Sequence, residues 1–236
     1  MADEHTPQAI NSPTPANQLP MNYGVLLYPA FQALDVFGPL DALNILSLKQ
    51  TMNLSIIGPT LDPISTKPRN PSLNPKNSNF GESILPTHSI TNPPPNLDVL
   101  VVPGGYGVRD DDITPIIDFI RTTYPSLKYL ITVCTGSWLA AKAGVLDGKK
   151  ATSNKASWAG TKVWGPNVHW VPHARWVVDG NIWTSSGVAA GIDVTLAFIR
   201  EVYGEEVGKD VGRVMEYDPH TDASWDPFAE VYNLTE

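Results

Sequence analysis

The apolar residues of this chain fall into short blocks punctuated by glycine, proline and asparagine, and the blocks alternate between strand-like runs and longer helical stretches. Tyr23-Gly24-Val25-Leu26-Leu27-Tyr28 reads as a first strand that Pro29 ends. A helix is predicted from Pro39 to about Leu48, with proline in the first turn, where its missing N–H does no harm. Leu54 to Ile57 is a second strand, and Leu97 to Val102 is a buried-strand run closed by the turn Pro103-Gly104-Gly105-Tyr106-Gly107. A helix over about Ile113 to Thr123 precedes a further strand, Tyr129 to Val133. Two runs, Trp176 to Asp179 and Ile182 to Ser185, flank Asp179-Gly180-Asn181, a strong hairpin signal. Helices follow over about Ala190 to Tyr203 and Glu205 to Glu216. Strands alternating with helices imply a mainly parallel α/β sheet covered on both faces, with ligands expected outside the carboxyl ends of its strands.

Two stretches break the alternation. Residues 1 to 20 carry much proline and little apolar surface, so they read as a flexible tail. Residues near 61 to 90 are rich in proline, asparagine and serine, and they read as an irregular insertion beside short strands near Asp62 to Ser65 and Ser83 to Ser89. The remainder, 21 to 236, is long enough for one α/β domain with one good core.

Charge narrows the partners. With 24 acidic and 16 basic residues the formal net charge is -8, and no basic stripe interleaves with aromatics, so nucleic acid is not an expected partner. No signal peptide or membrane span is legible, which makes a soluble, reducing, cytoplasmic setting the expectation. The single cysteine excludes an internal disulfide, and no histidine pair shows metal-ligand spacing, so neither metal nor cofactor is expected.

That cysteine, Cys134, ends an apolar strand and is followed at once by Thr135-Gly136-Ser137-Trp138 and a helical stretch that closes at Gly144. A strand turning sharply into a helix at one reactive residue is a nucleophile elbow. The helix N-terminus there is expected to favour thiolate over thiol. Thr135 supplies a hydroxyl and an N–H beside the sulfur, and the N–H groups of Gly105 and Thr135 are candidates to receive negative charge developing on a substrate. Asp35, in an apolar stretch leaving the first strand, is a candidate general acid or base whose pKa burial would raise. Trp138 is placed near the site by the elbow helix, while Gly104, Ser186 and Gly187 border the same strand ends.

Pro103-Gly104-Gly105, Val133-Cys134-Thr135-Gly136-Ser137, Leu146 to Thr152 and Thr184 to Asp193 together resemble the ThiJ/PfpI superfamily, in the branch that holds isocyanide hydratases and the amidotransferase-like domains of some transcription regulators. The resemblance spans about Tyr23 to Tyr203 and implies a flavodoxin-like α/β sandwich of the class I glutamine amidotransferase-like kind, usually a homodimer. It also implies that Asp35 stands beside Cys134 and that Thr135 follows it, as in hydratase-like members. Many relatives carry histidine where this chain has Asn154, which cannot take a thiol proton, so amidotransferase and peptidase mechanisms are disfavoured. Of the five histidines, His173 is the outside candidate for a replacement. The expected activity is a cofactor-independent hydration of a small electrophile such as an organic isocyanide. Glyoxal chemistry, a specialised biosynthetic reaction and redox sensing by Cys134 stand as alternatives, while a regulator would need a helix-turn-helix domain for which few residues remain after Tyr203.

Overall fold

The computed structural model describes residues 19–234; the predicted tail lies outside them up to residue 18. Leu19 and Pro20 already belong to the fold, for Leu19 packs on the core and the Pro20 carbonyl accepts the Tyr203 hydroxyl at 2.7 Å. Eleven strands and seven α-helices follow. In chain order they are β1 (Asn22–Leu26), α1 (Ala33–Ser47), β2 (Asn53–Gly58), β3 (Ile64–Ser65), β4 (Ser83–Ile84), β5 (His88–Ser89), β6 (Val99–Val102), α2 (Thr114–Thr123), β7 (Tyr129–Thr132), α3 (Gly136–Lys142), β8 (Lys150–Ala151), α4 (Thr161–Trp164), β9 (His169–Trp170), β10 (Trp176–Asp179), β11 (Ile182–Ser185), α5 (Ala190–Tyr203), α6 (Glu205–Val214) and α7 (Pro227–Val231).

Seven strands form the central sheet in the order β10-β11-β7-β6-β1-β2-β5. All neighbours are parallel except β10 and β11, the hairpin predicted at Gly180, whose φ of 63° is the left-handed value such a turn needs. Strand residues alternate between two cores. Leu26, Leu100, Val102 and Leu130 face α2 and α3, whereas Val25, Val99, Val101 and Ile131 face α1, α5 and α6. A strand whose successive side chains enter opposite cores must be apolar at every position, which is why these runs carry no polar alternation. The result is the flavodoxin-like three-layer sandwich expected from the sequence.

One boundary differs from expectation. Helix α1 begins at Ala33, so Pro39 sits inside it rather than in its first turn, and Asp35 lies in that first turn rather than in a free loop. Pro39 cannot donate to the carbonyl of Asp35 four residues back, a gap the helix absorbs because its buried side, including Val36, Leu40 and Leu43, is packed into the core. The 61–90 segment contains the short antiparallel pair β3–β4 and then adds β5 to the sheet edge. Among the described residues no helix is long and apolar enough to cross a membrane.

Candidate functional site

At the carboxyl end of β7 the chain reverses within two residues. Cys134 adopts φ 58°, and Gly136 then starts α3 with its N–H on the Val133 carbonyl at 2.9 Å. A non-glycine residue held left-handed costs about 1–2 kcal/mol, so the surroundings must enforce it. They do so through the peptide groups. The Cys134 N–H donates to the Ser186 carbonyl at 3.2 Å, and its carbonyl accepts the hydroxyls of Ser137 at 3.0 Å and Ser153 at 3.2 Å. With its backbone fixed from three sides, the side chain projects from the sheet edge as an elbow requires.

Three donors converge on the sulfur: the backbone N–H of Thr135, the backbone N–H of Val188, and the side-chain amide of Asn154. The Asn154 carbonyl oxygen is taken by the Ser157 N–H at 2.9 Å, which leaves the NH₂ end for the sulfur. Val188 is itself left-handed at φ 43°, so strained backbone faces the thiol from two elements.

Asp35 is the fourth group at the sulfur. Its carboxyl is fully buried, accepts the Gly104 N–H at 2.8 Å through Oδ2, leaves Oδ1 without a partner among the described residues, and lies beside the Cys134 thiol. Burial pushes the Asp35 carboxyl up to about 7, against the pull of the Gly104 N–H and of Cys134. Burial likewise pushes the Cys134 thiol up to about 12, and the charge of Asp35 adds to the rise against the three donors. This corrects the expectation of a thiolate held by the helix end. Helix α3 is only seven residues long, and a helix terminus contributes about 0.3–1 kcal/mol, less than the 1.36 kcal/mol that moves a pKa by one. Burial beside a carboxylate outweighs it, so near neutral pH the two groups hold one proton between them.

The glycine turn after β6 is shaped by the same pair. A Cβ on Gly104 would stand 2.6 Å from both the backbone nitrogen and Oγ1 of Thr135, and 3.0 Å from Oδ2 of Asp35. Only glycine lets the three elements meet. The Gly105 N–H, a candidate for receiving substrate charge, instead donates to Thr135 Oγ1 at 3.1 Å, and that of Gly104 serves Asp35. Both are spent on positioning Thr135 and Asp35.

The thiol forms part of the wall of a cavity of about 170 Å³, lined also by Gln32, Tyr106, Arg109, Thr135, Asn154 and Ser157. Cys134 is 6% exposed, so the sulfur is reached through this cavity and not from the open surface. Trp138 does not line it: its ring is in the core, stacked on Trp164 at 5.4 Å, because α3 turns that face toward α4. Ser186 and Gly187 line an adjoining cavity of about 250 Å³ together with Lys155, Phe228 and Tyr232. The larger cavity of about 400 Å³ along α5 and α6 shares no residue with either.

None of the described histidines lines the cavity of the thiol, and His173 is turned away with Nε2 on the Leu234 carbonyl at 2.6 Å. Reading the sequence found Cys134, Thr135 and Asp35 but not Val188, Gln32 or Arg109, and it valued Asn154 only as a missing base. The available signal for Arg109 was a cation four residues past Gly105 in a loop at the strand ends; nothing in the sequence marks a backbone N–H such as that of Val188.

Comparison with known proteins adds lineage to this geometry. The profile of the DJ-1/PfpI family matches residues 24–201. The chain is 34% identical over 203 residues to isonitrile hydratase of Pseudomonas putida, covering 84% of this chain and 79% of that enzyme. It is 29% identical over 124 residues to the HTH-type transcriptional regulator GbdR of Pseudomonas aeruginosa, which covers 52% of this chain and 34% of the regulator. Among solved structures, a ThiJ/PfpI family protein from Pseudomonas syringae superposes with a TM-score of 0.66 at 28% identity, covering 91% of this chain and 84% of that one. Drosophila melanogaster DJ-1beta superposes at 0.67 with 20% identity, covering 85% of this chain and 100% of that one, a likeness of fold.

Proposed function

The chain belongs to the DJ-1/PfpI family, and from that premise we propose that it is a cofactor-independent lyase that adds water to a small electrophile such as an organic isocyanide, giving an N-substituted formamide. The observation that carries this reading is the buried Asp35–Cys134 pair, with three hydrogen-bond donors on the sulfur and none of the described histidines lining the cavity. Similarity to isonitrile hydratase over most of both chains supports the same substrate class.

The pair holds one proton, which Asp35 gives up once per cycle and regains from water. With the proton on Asp35, the Cys134 sulfur attacks the terminal carbon of R–N≡C and Asp35 delivers the proton to that carbon, forming the thioimidate R–N=CH–S. Asp35, now ionised, takes a proton from water as the hydroxyl adds to the same carbon, and passes it to nitrogen. The tetrahedral R–NH–CH(OH)–S adduct then collapses: the C–S bond breaks, the hydroxyl proton returns to Asp35, and R–NH–CHO leaves with the sulfur anionic again. The N–H groups of Thr135 and Val188 and the Asn154 amide steady the sulfur each time it carries charge. Thr135 is held for this by its bond from Gly105.

Covalent capture divides one difficult addition into two easier ones, and both depend on a single sulfur. Assayed by formamide release from a panel of alkyl and aryl isocyanides, Cys134→Ala is expected to be inactive with its melting profile retained. Turnover by Cys134→Ala at the parent rate would overturn the reading. Asp35→Asn is expected to lose about a hundredfold or more, the usual loss when a general acid is removed.

A further inference from the structure

Arg109 lies in the wall of the thiol cavity, and its guanidinium is placed but not paired. Its carbon Cζ stands 4.8 Å from the centre of the Trp138 ring, and that ring is fixed in turn by burial and by stacking on Trp164. Arg69, Arg121, Arg175 and Arg213 each pair with an aspartate. Arg109 does not, although Asp110, Asp111 and Asp112 follow it directly: among the described residues no carboxylate lies within 4.0 Å of it. Among the described residues its one side-chain hydrogen bond is to Ser157 Oγ, at a long 3.4 Å. A guanidinium offers five donors in a planar fork, and stacking on an aromatic face leaves the in-plane edge free.

We propose that Arg109 determines specificity in this cavity by selecting small electrophiles that carry a carboxylate, which the guanidinium fork would hold while Cys134 meets the reacting carbon. The inference deepens the reading of Cys134 as a nucleophile and rests on it. A chain of net charge -8 repels anions in general, so a cation fixed at the reacting cavity supplies the local attraction an anionic substrate needs. Size agrees. About 170 Å³, against roughly 30 Å³ for one water, takes about five or six water-sized groups. An isocyano group, one carbon and a carboxylate fill that space.

Because Cys134 is the only thiol, its alkylation reads the cavity directly. In that reaction the Sγ–C bond forms as the C–I bond breaks, iodide leaves with the bonding pair, and the thiol proton passes to Asp35. Rates with iodoacetate and iodoacetamide differ in the charge carried into the cavity. Their ratio is expected to be about tenfold higher in the parent than in Arg109→Gln, with Arg109→Lys between them because it keeps charge but loses the fork. An equal ratio in parent and Arg109→Gln overturns the proposal. Should Arg109→Gln not fold, a parent ratio no higher than that of free cysteine overturns it equally.

Hydration of isocyanoacetate against its methyl ester provides the second arm. A preference for the acid in kcat/KM that Arg109→Gln removes supports the proposal. Isocyanide hydration with no such preference and a flat alkylation ratio sinks it while leaving the hydratase reading intact. An alkylation ratio set by Arg109 with no isocyanide turned over sinks the hydratase reading and keeps the anion selection.

Discussion

Two side chains 99 positions apart share one proton, and this fixes how the site should respond to pH. Below about 7 both Asp35 and Cys134 are protonated, leaving neither a thiolate nor a base; the first proton leaves near 7 and the second only near 12. Alkylation of the parent by iodoacetamide is therefore expected to rise with pH through an inflection near 7. In Asp35→Asn the carboxylate that raises the thiol is gone, so a single inflection is expected above 7 and below about 12. An unshifted inflection near 7 in that variant would show that Asp35 is not the group that titrates. Both partners were legible in the sequence because each is a reactive side chain in an apolar run at a strand end. The direction of the Cys134 shift was not, since it depends on how deeply α3, Asp35 and Val188 enclose the sulfur.

At the scale of elements, the site is where β6, β7 and α1 touch, and Gly104 is the point of contact. Gly104→Ala would drive a Cβ into the Thr135 nitrogen, a backbone atom that cannot rotate aside. The expected cost is about 1–3 kcal/mol of stability, read as a lowered urea midpoint, together with weakened Asp35–Cys134 coupling in the alkylation profile. The strands and most helices were legible because fully buried β6 is apolar throughout, as is the buried Leu130-Ile131 pair of β7, and because Gly180 and Gly204 punctuate the ends of elements. The start of α1 was misplaced because Pro39 reads locally as a helix opening, whereas packing carries the helix through it. The short helix α7 escaped detection, its five residues being held by the Asp226 cap and by tertiary contacts rather than by any periodic pattern.

Across the whole molecule, buried ions tie the C-terminal segment to the site. Lys155 Nζ donates to Thr152 Oγ1 at 2.6 Å and to the carbonyls of Ser153 at 3.1 Å and Ala174 at 2.9 Å, with Asp226 at 3.6 Å. Arg175 binds Asp193 at 2.8 Å, and Asp193 also accepts Tyr217 and the His220 N–H. Burial draws the Lys155 ammonium down to about 8 even with Asp226 opposing, so removing the carboxylate strands a poorly solvated cation. Asp226→Ala is expected to cost about 3–5 kcal/mol, and the double change with Lys155→Met to recover most of it. Thermal melts of the three variants check this, and strictly additive losses would refute the coupling.

Asn154, Ala156 and Val188 belong to the walls of both the chamber that holds the thiol and the more apolar one beneath α7. A partition held in common is a hinge for divergence: trimming the Val188 side chain would merge the compartments and give a bound electrophile a greasy annex for a longer tail, while the Val188 N–H stays on the sulfur.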